Sequence, residues 1–197
     1  GMFEGHLVQR GRTGEGQQID MALLDVATSV MANQAMNYLA SGKAPGLMGN
    51  AHPNLAPYAV FDCKDGWLIL ATGNDGQYQR LCRILGLEAM ATEPRFLTNA
   101  DRIANRAEMT ERLTAATKTW AKADLLAACE AEGVPAGPIN DLAEVFADPQ
   151  VVARGMQIAP EGMKGVRSPM TFSGAELALD RPAPRLGQHQ EEVLGKV

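Results

Sequence analysis

Five consecutive residues, Gly73, Asn74, Asp75, Gly76 and Gln77, set an amide and a carboxylate between two glycines. Glycine permits positive φ and lets the backbone approach another molecule closely. Backbone N–H groups and the Asn74 amide in such a loop suit the oxyanion-type task, hydrogen bonding to an oxygen that gains negative charge during a reaction. Asp75 suits capping the helix that follows. Upstream, His52 precedes Pro53 and Tyr58 follows Pro57. Histidine as a residue type suits general-base work, which makes His52 a candidate, but a lone His in a Gly/Pro-rich loop is more often structural. Tyr58 belongs either to a substrate pocket or to the core. Asp20 and Asp25 read as a helix cap and a solvated face, and Arg185 and Lys164 as single surface cations.

Composition narrows the class. Net charge is -5 with no basic block, which argues against nucleic acid. The apolar runs fall short of the ~18 residues that span a bilayer, so no membrane partner is expected. The start lacks an apolar leader, and Gly1 ahead of Met2 reads as a residue left by tag removal. Cys63, Cys82 and Cys129 are far apart and form no Cys-x-x-Cys, so neither a metal site nor a disulfide framework is suggested. Buried free thiols in a reducing cytoplasm are the expectation.

The elements that must position these residues follow from periodicity. Residues 1–19 read as a turn-rich segment around Gly11, Gly14 and Gly16. Its glycines do not end in Gly-Lys-Ser/Thr, so it is not a phosphate loop. Asp20 reads as the N-cap of one uninterrupted helix from Met21 to Ala40, with Leu24, Ala27, Met31, Ala35 and Leu39 on its apolar face. From Pro57 to Leu70 the period is two, and Asp65-Gly66 predicts a hairpin turn. A helix from about Gln77 to Leu85 follows, closed by Gly86. Residues 92–133 read as amphipathic helices. Asn105 and Glu108 form an expected capping box, Met109, Leu113 and Ala116 a buried stripe, and Thr119 a cap for the helix carrying Leu125, Leu126 and Cys129. Pro135 and Pro138 predict a linker. Short helices follow over 141–147 and after Asp148-Pro149, then irregular chain, and one last helical turn near 190–194. The fold class is α/β, with α+β as the alternative.

Several runs, taken in order, resemble a known family. They are Arg12-Thr13-Gly14-Glu15-Gly16-Gln17-Gln18-Ile19-Asp20, Asn50-Ala51-His52-Pro53, Pro57-Tyr58 with Phe61, and Asp65-Gly66. Next come Asn74-Asp75-Gly76-Gln77-Tyr78 with Leu81-Cys82, then Pro94-Arg95-Phe96, Asn99, and Arg102 with Asn105-Arg106. Gly133-Val134-Pro135-Ala136-Gly137-Pro138-Ile139, Asp148-Pro149-Gln150, and Pro184 with Leu186-Gly187 complete the series. The series resembles the class III CoA-transferases, the carnitine dehydratase and bile-acid-inducible family that includes formyl-CoA transferases. It covers nearly everything from Arg10 onward.

The resemblance implies CoA transfer between an acyl-CoA and a carboxylic acid, with coenzyme A as substrate and no separate cofactor. Acyl-CoA racemases are relatives, and the resemblance to them implies proton transfer by a carboxylate near Asp75, which needs a tuned pKa and a partner base. It implies a large Rossmann-like domain, a small domain, a last stretch that returns to the large domain, and two subunits interlocked as rings. It places residues 73–77 as a lid over the thioester intermediate, with His52 and Tyr58 nearby. The family's nucleophile is an Asp that becomes a mixed anhydride and then accepts CoA, which splits a hard exchange into easier steps. That Asp lies upstream of the Arg-Thr-Gly-x-Gly-Gln run, and none of the residues ahead of Arg12 is Asp. No catalytic residue is therefore expected among these 197. The expected organisation is a connecting segment over 1–41, a small domain over 42–133 with a short antiparallel sheet, and a return segment over 134–197, with the Rossmann-like half absent. A chain of this kind is inactive alone, or is the non-catalytic partner of a separately encoded half, or a homo-oligomer.

Overall fold

The two β-forming runs pair as expected. Strands β1 (Tyr58–Cys63) and β2 (Gly66–Ala71) are antiparallel, with Tyr58 opposite Ala71 and Cys63 opposite Gly66. Alternation buries Ala59, Phe61 and Cys63 of β1 and Leu68 and Leu70 of β2, while Trp67 stays exposed on the other face. The turn is Lys64-Asp65, one residue earlier than the Asp-Gly signal suggests, and Gly66 opens β2 at φ 148°. The expected linker is also corrected. Residues Ala136–Ile139 form β3, which pairs antiparallel with β2 and makes β2 the central strand. Pro138 is tolerated there because β3 is an edge strand, where a missing N–H costs nothing on the unpaired side.

This computed structural model describes residues 2–195, with the backbone only at Met2 and Phe3, and the chain divides into two units, 1–54 and 55–197. The sheet lies in the second unit. Helices α4 (Asp75–Ile84), α5 (Glu88–Ala91), α6 (Asn99–Ala104), α7 (Arg106–Thr117) and α8 (Lys122–Ala131) follow it. Their inward faces supply Tyr78, Leu81, Cys82, Met90, Met109, Leu113, Leu125 and Cys129 to the core, joined by Phe96 from a short 3-10 turn. The capping box forms one helix earlier than expected: Thr98 and Asp101 cap α6 reciprocally. Asn105 instead donates its amide to the Arg95 and Asp101 carbonyls. Thr119 does not cap α8 either, because its hydroxyl bonds the Ala116 carbonyl. The first amide of α8, on Lys122, donates 2.7 Å to Asp65 in the hairpin turn. Beyond β3, Asp141 and Glu144 cap α9 (Leu142–Ala147), and Asp148 caps α10 (Pro149–Ala153) ahead of its Pro, as the sequence indicates. A two-residue ladder, β4 (Gln157–Ile158) with β5 (Gly165–Val166), and a last turn, α11 (Gln190–Leu194), complete a helix-rich fold with a short antiparallel sheet.

The unit over 1–54 differs more from its sequence. The turn-rich start is a helix, α1 (Met2–Thr13), closed by Gly14 at φ 78°. Asp20 caps nothing, since α2 (Leu23–Val30) starts after Ala22 without a side-chain cap. The single long helix is two, because α3 (Ala32–Ser41) begins after a break at Met31. Thr28 turns its hydroxyl back on the Leu24 carbonyl at 2.8 Å, a bond that bends helices, and the break follows three residues later. Among the described side chains of 4–54, none is buried.

Candidate functional site

The loop after β2 is built around an N-cap. Asn74 has an extended backbone, φ -155° and ψ 169°, and its Oδ1 accepts the Gln77 N–H at 2.9 Å. Gln77 reaches back, and its Oε1 accepts the Gly73 N–H at 2.6 Å. Asn74 thus caps α4 from its side chain, while the Gln77 return bond lands on Gly73, one residue before the N-cap, and not on the Asn74 N–H that a capping box uses. Asp75 is therefore not the cap, contrary to one sequence reading; it is the first residue of α4. Nor do Gly73 and Gly76 use positive φ. A Cβ at Gly76 would stand 3.4 Å from Asn74 Oδ1 and 3.6 Å from Arg80 Nη1, both near ordinary van der Waals contact. The cap occupies Asn74 Oδ1 and Gln77 Oε1, so in both side chains it is the NH2 group that can still donate, beside the first-turn backbone N–H groups of Asp75 and Gly76.

The Asp75 carboxylate is held from below. Its Oδ1 accepts 2.7 Å from Arg102 Nη2. Arg102 is only 1% exposed and Asp75 51%. The same guanidinium donates through Nε to the Ala56 carbonyl at 2.6 Å and through Nη1 to the Phe96 and Leu97 carbonyls at 3.0 and 3.2 Å. It also stacks 4.4 Å from the centre of the Tyr78 ring. Its neighbours on α6 and α7 hold the same stretch of chain. Asn99 accepts the Ala56 N–H at 3.1 Å, and Arg106 donates 3.4 Å to the Leu55 carbonyl. Thr72 closes the other side, with its N–H and hydroxyl donating to the Pro57 carbonyl at 3.0 and 2.9 Å. Tyr58 follows directly, opposite Ala71, so it stands at the end of the hairpin from which residues 73–77 emerge. It is half-buried.

His52 belongs to the other unit, 1–54. Its Nδ1 accepts the Asn54 N–H at 3.1 Å, and the Asn54 and Asn37 side-chain amides bond each other. Of the singled-out residues, the structure thus brings Tyr58 and 73–77 together on one hairpin end. Burial pushes the Tyr78 phenol up, as does its hydrogen bond with Cys82, and burial likewise raises the Cys82 thiol. Both stay neutral near neutral pH and offer no nucleophile. Among the described residues no group of three His, Cys, Asp or Glu is placed to hold a metal. The residue that sequence reasoning left without a role is Arg102. Nothing local in the sequence signals its burial.

The family model for CoA-transferase family III matches residues 5–190 of the chain. The chain belongs to that family. Relatives of this family III chain include the succinate–glutarate CoA-transferase of Agrobacterium fabrum, 52% identical over 196 residues, covering 97% of this chain and 49% of the relative. The succinyl-CoA:glutarate CoA-transferase of Mus musculus is 35% identical over 97% of this chain and 45% of its own length. A crystal structure of a CAIB/BAIF family protein from Brucella suis superposes with TM-score 0.82 at 53% identity, covering 98% of this chain and 51% of that one. The chain spans about half the length of the curated relatives it matches. Among its described residues no helix is long and apolar enough to cross a membrane.

Proposed function

We propose that this family III chain carries the small-domain half of a cytoplasmic CoA-transferase that moves CoA between an acyl-CoA and a dicarboxylic acid. The observation that carries this reading is 52% identity, along 97% of the chain, to a succinate–glutarate CoA-transferase. The loop at 73–77 is one wall and lid of the site, with Tyr58 beside it. In this reading the Asp75 and Gly76 backbone amides and the Asn74 side-chain NH2 act as donors to the thioester oxygen, where charge develops. The nucleophilic Asp is supplied by sequence outside these residues, so the chain alone does not turn over. Three unpaired thiols, Cys63, Cys82 and Cys129, suit a reducing compartment.

The test is an incubation of the purified chain with succinyl-CoA and glutarate, followed by chromatography for glutaryl-CoA. None is expected from the chain alone, and glutaryl-CoA is expected once a polypeptide with the upstream half of the fold is added. Turnover by the chain alone, shown by mass spectrometry to be free of other proteins and abolished by Asp75→Ala, overturns the reading.

A second reading, a partner subunit completing a separately encoded half, is favoured by one observation. The unit over 1–54 buries none of its described side chains, yet Leu23, Leu24, Val30 and Leu39 all stand exposed on it. Apolar surface of this kind marks an association site. A compact, non-associating monomer by light scattering, unchanged when the upstream half is added, counts against it.

A further inference from the structure

Among the described residues the buried polar and charged side chains are Thr72, Arg102 and Thr117. Arg102 is the one of these with a full charge. Its place does not depend on Asp75: three backbone carbonyls, those of Ala56, Phe96 and Leu97, and the Tyr78 ring fix the guanidinium plane. A planar fork held this way directs its remaining N–H groups rigidly. One of them points to the half-exposed carboxylate at the first residue of α4. That carboxylate is adjacent to Asn74, whose Oδ1 holds the Gln77 N–H, and the Gln77 side chain in turn holds the Gly73 N–H. A chain of rigid contacts thus runs from the core, through one ion pair, into the loop. A charge buried and then stripped of its partner is left uncompensated, so the pair is worth more than a surface salt bridge.

We infer that Arg102 is a positioning residue that acts through Asp75 to hold residues 73–77 in the arrangement that closes over the substrate. Asp75 is the loop's anchor and not an acid–base group. What the loop closes over rests on the transferase reading above; the anchoring does not.

Two measurements decide it. The first is amide hydrogen exchange on the chain itself. Asp75→Asn keeps the side chain's size and removes its charge. It speeds exchange of the Gly73 and Gln77 amides by about ten-fold while β1 and β2 keep their protection, because only a local opening is released. Arg102→Lys, which keeps charge but loses the fork, loosens the same two amides; if it fails to fold, Asp75→Asn still reads the pair. Unchanged exchange at Gly73 and Gln77, or equal acceleration in β1 and β2, overturns the anchoring. The second is steady-state kinetics of CoA transfer in the assembly formed with the upstream half. Asp75→Asn lowers kcat about ten-fold with KM for succinyl-CoA within about two-fold, and Asp75→Glu recovers most of the loss, as expected for a misplaced lid. A loosened loop with unchanged kcat overturns the role in the reaction. If the wild-type assembly transfers no CoA, the transferase reading fails, and the exchange result alone decides the anchoring.

Discussion

The buried thiols show how a single side chain ties stability to pH. Burial, with Cys63 nearby, pushes the Cys129 thiol from the ordinary 9.0 up to about 11. Between those values the unfolded chain releases a proton that the native chain keeps. The native state then binds more protons, so unfolding free energy falls as pH rises, and the contribution is fully present below about 9. Urea unfolding from pH 9 to 11 should show stability declining, and Cys129→Ala should flatten that decline. A slope unaffected by the substitution would assign the loss to other groups. Burial also raises Cys63, beside Asp65 and Asp62, and Cys82. All three thiols should therefore resist iodoacetamide near neutral pH until the chain is unfolded, because the thiolate is the reactive form. Labelling followed by peptide mass spectrometry reads this directly.

Between elements, long-range capping joins what the helices and hairpin build separately. Asp65 in the β1–β2 turn takes the first amide of α8, and the Lys64 N–H bonds the Trp120 carbonyl at 3.0 Å. The hairpin turn is thus the N-cap of a helix far along the chain. Asp65→Ala should cost about 0.5–2 kcal/mol, the range for a lost N-cap acceptor, measured by urea unfolding at unchanged m-value. No loss would mean that water replaces Asp65 at no cost. The same contact shows what a sequence discloses. The hairpin, Met109 and Leu113 on the buried face of α7 and the Asp148-Pro149 helix start were legible, because period and cap lie within a few residues of each other, although Thr117 and not Ala116 completes the α7 face. Asp65 as a cap was not, since its partner stands 57 positions away. Arg102 was opaque for the same reason, with acceptors 46 and 27 positions off. The Asn74 cap was legible in Asn-x-x-Gln but was masked by the adjacent Asp75, an equally good cap by type. Pro135 and Pro138 concealed β3, because proline's bias against strands relaxes at an edge. The long N-terminal helix misled for another reason: its apolar period is real, yet no face of α2 or α3 is buried.

At the scale of the molecule the two units differ in what holds them. Residues 55–197 have a core with fully buried Leu68, Leu81, Leu113 and Leu125, so Leu113→Ala should cost about 2–5 kcal/mol. The unit over 1–54 has helices but no buried described side chain, and Leu23 is 88% exposed. Helices of this length are marginal in water without tertiary packing, since most helical stability comes from a buried face. Local opening should therefore be frequent there and rare around the sheet. Limited trypsin digestion should cut first after Arg10, Arg12 and Lys43, all exposed, well before Lys64 or Lys118. The surviving fragment should begin at Ala44 and retain a cooperative melt. If, as proposed, a polypeptide with the upstream half of the family fold covers the apolar residues of α2 and α3, adding it should slow cleavage after Lys43 and leave cleavage elsewhere unchanged. Equal protection at every site would indicate general association instead, and early cleavage after Lys64 would show that the sheet is no more stable than the helices before it.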